Sequence, residues 1–261
     1  MYIYRSSNFI LGQLKIYKAF EIPLGVNMIN ALQFYKSKKN IVNNKDIIIL
    51  DVGGNVGWYP SLLGRYEYTI LSFEAFEKNN YVALKNYCYL NKNSNVIVIT
   101  KGLGAKEKNC TYYVHKNNAG NGITICDSKV KNKTLGTSFV KESEVEITTL
   151  NNFMPYLLDK NIALMKLDVE GHELQVLEGG KELITKYHIP FITLEFTPKF
   201  LKRVGSDPKE LLQFLVDNGY KISIEGFLSK NYISIEELIA RTSYQNDCYF
   251  IHNSIIEEIS L

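Results

Sequence analysis

Ile47-Ile48-Ile49-Leu50-Asp51-Val52-Gly53-Gly54-Asn55-Val56-Gly57 is the stretch whose reading decides the fold: an apolar run ends in an acid and opens directly into a glycine-rich turn. A continuous apolar run bounded by glycines suits a parallel strand covered on both faces, and sheets of that kind bind ligands beyond the carboxyl ends of their strands. Glycines there let the backbone pass close to a ligand, because no side chain stands between them. The D-x-G-x-N-x-G spacing departs from the G-x-G-x-x-G of a pyrophosphate cradle. An acid at the strand end and Asn55 in the turn favour a ligand that carries an ammonium group.

Downstream, apolar strands and amphipathic stretches alternate: strand 47–52, helix about 56–65, strand 69–74, helix 77–90, strand 95–100. This is the pattern of an open α/β sheet. Upstream, residues 24–35 carry apolar positions at helical spacing, so residues 1–45 read as a small N-terminal helical cap on a domain spanning 46–261. Alternation breaks in an insertion at about 108–144, where residues 110–114 and 123–126 read as short strands around a turn-rich loop at 117–122. Residues 127–144 are polar and Lys-rich, a solvated loop or a lid over the ligand edge. Regular order resumes with a strand at 145–148, a short helix at 150–158, a strand at 162–167, a helix at 171–187 and a strand at 189–196. Asp207-Pro208 starts a helix over 209–218, and strands at 221–224 and 248–252 close the sheet.

Three further strand ends carry acids. Glu74 ends the second strand, 23 residues beyond Asp51, where a doubly wound sheet places an acid for a ribose diol. Leu164-Met165-Lys166-Leu167-Asp168-Val169-Glu170-Gly171-His172-Glu173 gathers Asp168, Glu170 and His172 at one terminus. A carboxylate there also suits a helix N-terminus, so Asp168 or Glu170 has a structural role open to it. Glu195 interrupts the apolar strand Phe191-Ile192-Thr193-Leu194-Glu195-Phe196, and a place on the same rim as Asp168 explains it. The alternate spacing of these acids is a poor match to metal-site geometry, and no metal is expected.

The 261 residues are 46% hydrophobic and 22% charged with a formal net charge of +3, an ordinary globular composition without the basic excess of a nucleic-acid binder. Cys88, Cys110, Cys126 and Cys248 show no C-x-x-C spacing, which argues against a zinc site and a disulfide framework and points to a reducing cytoplasm. The N-terminal residues lack the apolar core of a secretory signal, and no run is long enough to span a membrane.

Taken together, Asp51 to Gly57, Phe73-Glu74, the loop at 118–122, Lys166-Leu167-Asp168-Val169-Glu170-Gly171-His172-Glu173 and Leu194-Glu195-Phe196 resemble the FkbM family of S-adenosylmethionine-dependent methyltransferases over residues 46–225. Ala75 and Thr197 depart from that family's usual proline and asparagine. The resemblance implies a class I methyltransferase Rossmann-like α/β fold: a mostly parallel seven-stranded sheet with an antiparallel closing strand. It implies S-adenosylmethionine as cofactor and O-methylation of a hydroxyl on a sugar, glycan or secondary metabolite. Asp51, Gly53, Gly54, Asn55 and Gly57 would hold the methionine end, Glu74 and Ala75 the ribose, and Gly102 and Leu103 the adenine. Asp168 would face the amino group or the substrate. The proton acceptor would be Asp168, Glu170 or His172, with Glu195 orienting a small-molecule or glycan acceptor. A catalytically silent binding module and a nicotinamide-dependent oxidoreductase are the alternatives.

Overall fold

The computed structural model describes residues 21–90, 95–126, 138–241 and 246–260. Helix α1 (Ile22–Lys38) precedes β1 (Ile47–Val52), and the chain then runs through α2 (Trp58–Leu63), β2 (Thr69–Phe73), α3 (Glu77–Leu90) and β3 (Asn95–Ile99). An inserted sheet follows: β4 (Gly102–Leu103), β5 (Lys108–His115), β6 (Asn118–Ile125) and β7 (Phe139–Thr148). The main sheet resumes with β8 (Asn161–Leu167), α4 (Glu173–Gly179), α5 (Lys181–Tyr187), β9 (Phe191–Phe196), α6 (Pro198–Val204), α7 (Pro208–Asp217), β10 (Tyr220–Ser223), α8 (Ile235–Arg241), β11 (Asn246–His252) and α9 (Asn253–Ser260).

The main sheet has seven strands in the order β10-β11-β9-β8-β1-β2-β3. From β9 to β3 every neighbouring pair is parallel, and β11 alone is reversed. That is the class I Rossmann-like arrangement expected from the sequence. The chain leaves β1 toward β2 and β3, then crosses to the other side of β1 for β8. The order therefore reverses between β1 and β8, where a crevice opens beyond the strand ends.

The residues of β1 alternate between two cores because successive side chains of a strand point to opposite faces. Ile48, Leu50 and Val52 join Leu174, Leu177, Leu211 and Leu215 on one face. Ile47 and Ile49 join Leu24, Met28 and Leu32 of α1 on the other. Both faces are covered, which is why the strand reads as an unbroken apolar run.

Several local expectations change. Residues 145–148 belong to β7 of the inserted sheet, whose order is β4-β7-β5-β6, rather than to the main sheet. Most of the turn-rich stretch at 117–122 is strand β6, and residues 139–144 of the expected polar loop are strand β7. The rest of that loop, 127–137, lies outside the described residues. The helix at 171–187 is two helices meeting at Gly179 and Gly180. A Cβ on Gly179 would sit 2.0 Å from the carbonyl oxygen of Gly104, so the break lets the loop after β4 press against the helix. Three short helices, α6, α8 and α9, are too brief for periodicity to reveal.

The cysteines correct a further expectation. Cys110 and Cys126 form a disulfide across β5 and the end of β6. Thr111 pairs with Ile125 in that antiparallel ladder, which sets the two cysteines opposite one another. A hairpin brings together residues whose spacing along the chain carries no signal, and the cysteine argument for a reducing compartment falls with it. Among the described residues no helix is long and apolar enough to cross a membrane.

Candidate active site

Gly53 closes the crevice between β1 and β8. Its φ is 83°, and a Cβ there would lie 1.7 Å from the carbonyl oxygen of Asp168, so only glycine lets the two strand ends meet. The amides of Gly53 and Gly54 both donate to the carbonyl of Phe73, tying the turn to β2. The amide of Asp168 donates to the carbonyl of Val52, 3.0 Å away. Over these strand ends lies a cavity of about 440 Å³, within the range of small-molecule sites.

Glu74 lines this cavity and already accepts two backbone hydrogen bonds, from the amides of Asn55 and Phe76, each at 2.8 Å. Burial pushes its pKa up to about 7 against those bonds. A carboxylate has about four lone-pair positions, so two backbone donors leave it capacity for a diol. Ala75, Gly102 and Leu103 continue the lining beside it.

On the other side Lys166, 5% exposed, donates to the carbonyl of Gly53 at 2.9 Å and to Asp168 at 3.1 Å, with Asp51 at 3.9 Å. Burial penalises its charge, but Asp168 and Asp51 outweigh that and hold the ammonium protonated. Asp51 is 1% exposed and accepts from the hydroxyl of Ser72. It stands beneath the cavity, not in its lining. Gly54 and Gly57 are also absent from the lining: a Cβ on Gly54 would meet Ser72 and Asp51, and one on Gly57 would meet Tyr87 and Ala83. The first turn thus offers Gly53 and Asn55 to a ligand, while its other members pack the turn itself.

Asp168, Glu170, His172 and Glu195 all line the cavity. Burial first, then the charge of Asp168, raises Glu170 to about 8 and Glu195 to about 9. Arg203 donates to the backbone carbonyl of Glu170, and its guanidinium lies 4.0 Å from the Glu170 carboxylate. Glu173 is structural instead, because its carboxylate accepts from the amides of Val169 and Gly171 and so shapes the turn that starts α4. His172 Nε2 lies 2.9 Å from the carbonyl oxygen of Thr124 on β6. A carbonyl only accepts, so Nε2 carries the hydrogen, and burial lowers the ring's pKa. The neutral ring therefore presents Nδ1 as an acceptor.

The cavity also holds residues that the sequence did not single out, among them Glu21, Asn79, Lys108, Tyr112, Thr124, Gln175 and Phe200. Those residues had no signal in the sequence, whereas Lys166, bonded to Gly53 and Asp168 beside the lining, had a visible one, a lysine inside an apolar strand. Asn55, Asn79 and Gln175 each carry a buried side-chain oxygen without a hydrogen-bond partner. Of the described non-glycine residues with positive φ, Glu21, Asn55 and Glu170 line the cavity. Strained backbone and unmet acceptors together mark a place built for a ligand.

Comparison with known proteins gives a match of residues 51–222 to the methyltransferase FkbM domain. No curated protein sequence matches significantly. Among solved structures, the bifunctional kinase-methyltransferase WbdD superposes with a TM-score of 0.51 at 10% identity, covering 96% of this chain and 44% of WbdD. The chain thus spans less than half of that protein. Magnesium protoporphyrin IX methyltransferase (ChlM) from Synechocystis PCC 6803, solved with bound SAM, gives a TM-score of 0.45 at 12% identity over 97% of this chain and 88% of ChlM.

Proposed function

The chain belongs to the family defined by the methyltransferase FkbM domain, and on that premise we propose that it transfers a methyl group from S-adenosylmethionine to a hydroxyl of a sugar, glycan or secondary metabolite. One observation carries the reading. The Gly53 turn and Glu74 open into the same cavity as a neutral histidine whose tautomer is set by Thr124.

The cavity fits the methyl donor. Its unmet oxygens on Asn55, Asn79 and Gln175 call for a ligand rich in hydrogen-bond donors, and its lining includes both acids and small apolar residues. Glu74 would accept from the ribose hydroxyls, Asp168 and the backbone at Gly53 would hold the methionine end, and Ala75, Gly102 and Leu103 would flank the base. When bound, the donor supplies a methyl group on a sulfonium, electrophilic without further activation.

The protein's own part is to orient the hydroxyl and take its proton. His172 Nδ1 accepts that proton, the ring being neutral at pH 7 and unable to turn while Nε2 is tied to Thr124. Glu170 and Glu195 are raised well above the ordinary carboxylate range and so orient the acceptor as hydrogen-bonding groups near neutral pH. Purified protein incubated with labelled S-adenosylmethionine and a panel of candidate glycans tests the reading. Label transfer to a hydroxyl supports it, and transfer to nitrogen or carbon alone would overturn the O-methylation.

A further inference from the structure

Glu21 lies ahead of the family segment that starts at Asp51, yet it lines the same cavity as Gly53, Asp168 and Glu195. It sits just before α1 with φ 42°, a left-handed conformation uncommon for a residue with a side chain. The hydroxyl of Tyr59 on α2 donates to its carboxylate. Lys166 stands 5.4 Å over the Tyr59 ring but directs its hydrogen bonds to Gly53 and Asp168. On the neighbouring strand ends Glu195 and Asp247 are paired in register, two acids facing each other. Sheet order puts Glu195 three strands from Glu74, about 14 Å at ordinary strand spacing. Glu21, Asp168 and Glu195, all in the cavity lining, therefore form the wall opposite the ribose end.

We propose that Glu21, held by Tyr59, is a specificity-determining residue that makes this wall select ligands presenting a cation or hydrogen-bond donors and reject anionic ones. The inference rests on the methyl-transfer reading and deepens it. The acceptor would be a neutral polyol or an amine-bearing sugar, without phosphate or carboxylate near the methylated hydroxyl. Residues inside the family segment hold the donor, and an acid from outside it sets the choice of acceptor in this chain.

Calorimetry with two donor analogues tests this without knowing the acceptor. S-adenosylhomocysteine is a neutral thioether, whereas sinefungin places an amine where the methylated sulfonium stands. The wild type is expected to bind sinefungin about tenfold more tightly than the thioether, a difference of about 1.4 kcal/mol. Glu21→Gln should bring that ratio close to one while leaving thioether affinity unchanged, and Tyr59→Phe should fall between. An unchanged ratio in Glu21→Gln, a wild-type ratio near one, or equal loss of both ligands overturns the inference. If the wild type binds neither, the methyl-transfer reading itself fails and takes this one with it.

Discussion

His172 Nε2 and the carbonyl oxygen of Thr124 lie 2.9 Å apart, joining the start of α4 in the main sheet to β6 in the inserted sheet. This bond makes the insertion part of the candidate chemistry. It fixes the tautomer of a ring that burial keeps neutral, and it leaves Nδ1 as the ring's acceptor.

His172→Gln should therefore lower kcat by about a hundredfold, the smaller end of what a general base contributes. Affinity for S-adenosylhomocysteine should stay within about twofold of wild type, since the donor contacts are elsewhere. Steady-state kinetics on an identified acceptor, with calorimetry beside them, check both halves; full turnover in the variant removes His172 from the mechanism.

Glu74→Gln keeps the size of the side chain but replaces one carboxylate oxygen with a donor. It should weaken S-adenosylhomocysteine binding by about tenfold, as expected for losing a hydrogen bond to a charged group. Affinity equal to wild type would mean that the ribose is not held at the end of β2.

Lys166→Met should destabilise the fold by about 3 kcal/mol, because it leaves Asp51 and Asp168 beside each other without their cation. Adding Asp51→Asn should recover part of that loss. Denaturant midpoints of the single and double variants measure the coupling, and simple additivity would deny the ion pair its role.

Stability should fall as pH rises. Glu173 at about 7, Glu170 at about 8 and Glu195 at about 9 all exceed the ordinary carboxylate value of 4.5, so the folded state binds more protons than the unfolded one through that range. Their contribution is full below 4.5 and is lost as pH climbs through about 9. Thermal melts of the ligand-free protein across this window should show the decline, and Glu195→Gln should flatten it. A melting temperature that rises toward pH 9 in both proteins would contradict the assignment.

The sequence alone carried the order of the main sheet's elements, because burial on both faces and strand-helix alternation leave a periodic imprint. Gly53, Asn55, Glu74, Asp168, Glu170, His172 and Glu195 were legible as candidate site residues for the same reason: each interrupts or closely follows an apolar run. Spacing along the chain could not say which way a side chain faces at a strand end. Tertiary structure alone put Asp51, Gly54 and Gly57 beneath the cavity, where Ser72, Lys166 and Tyr87 meet them. It also paired Cys110 with Cys126 and brought Glu21 and Thr124 to the site from segments distant in the chain. The disulfide arises within one hairpin, the Asp51, Gly54 and Gly57 contacts between neighbouring elements of the main sheet, and the His172–Thr124 contact where the inserted sheet meets the main one. No local pattern records where such surfaces meet.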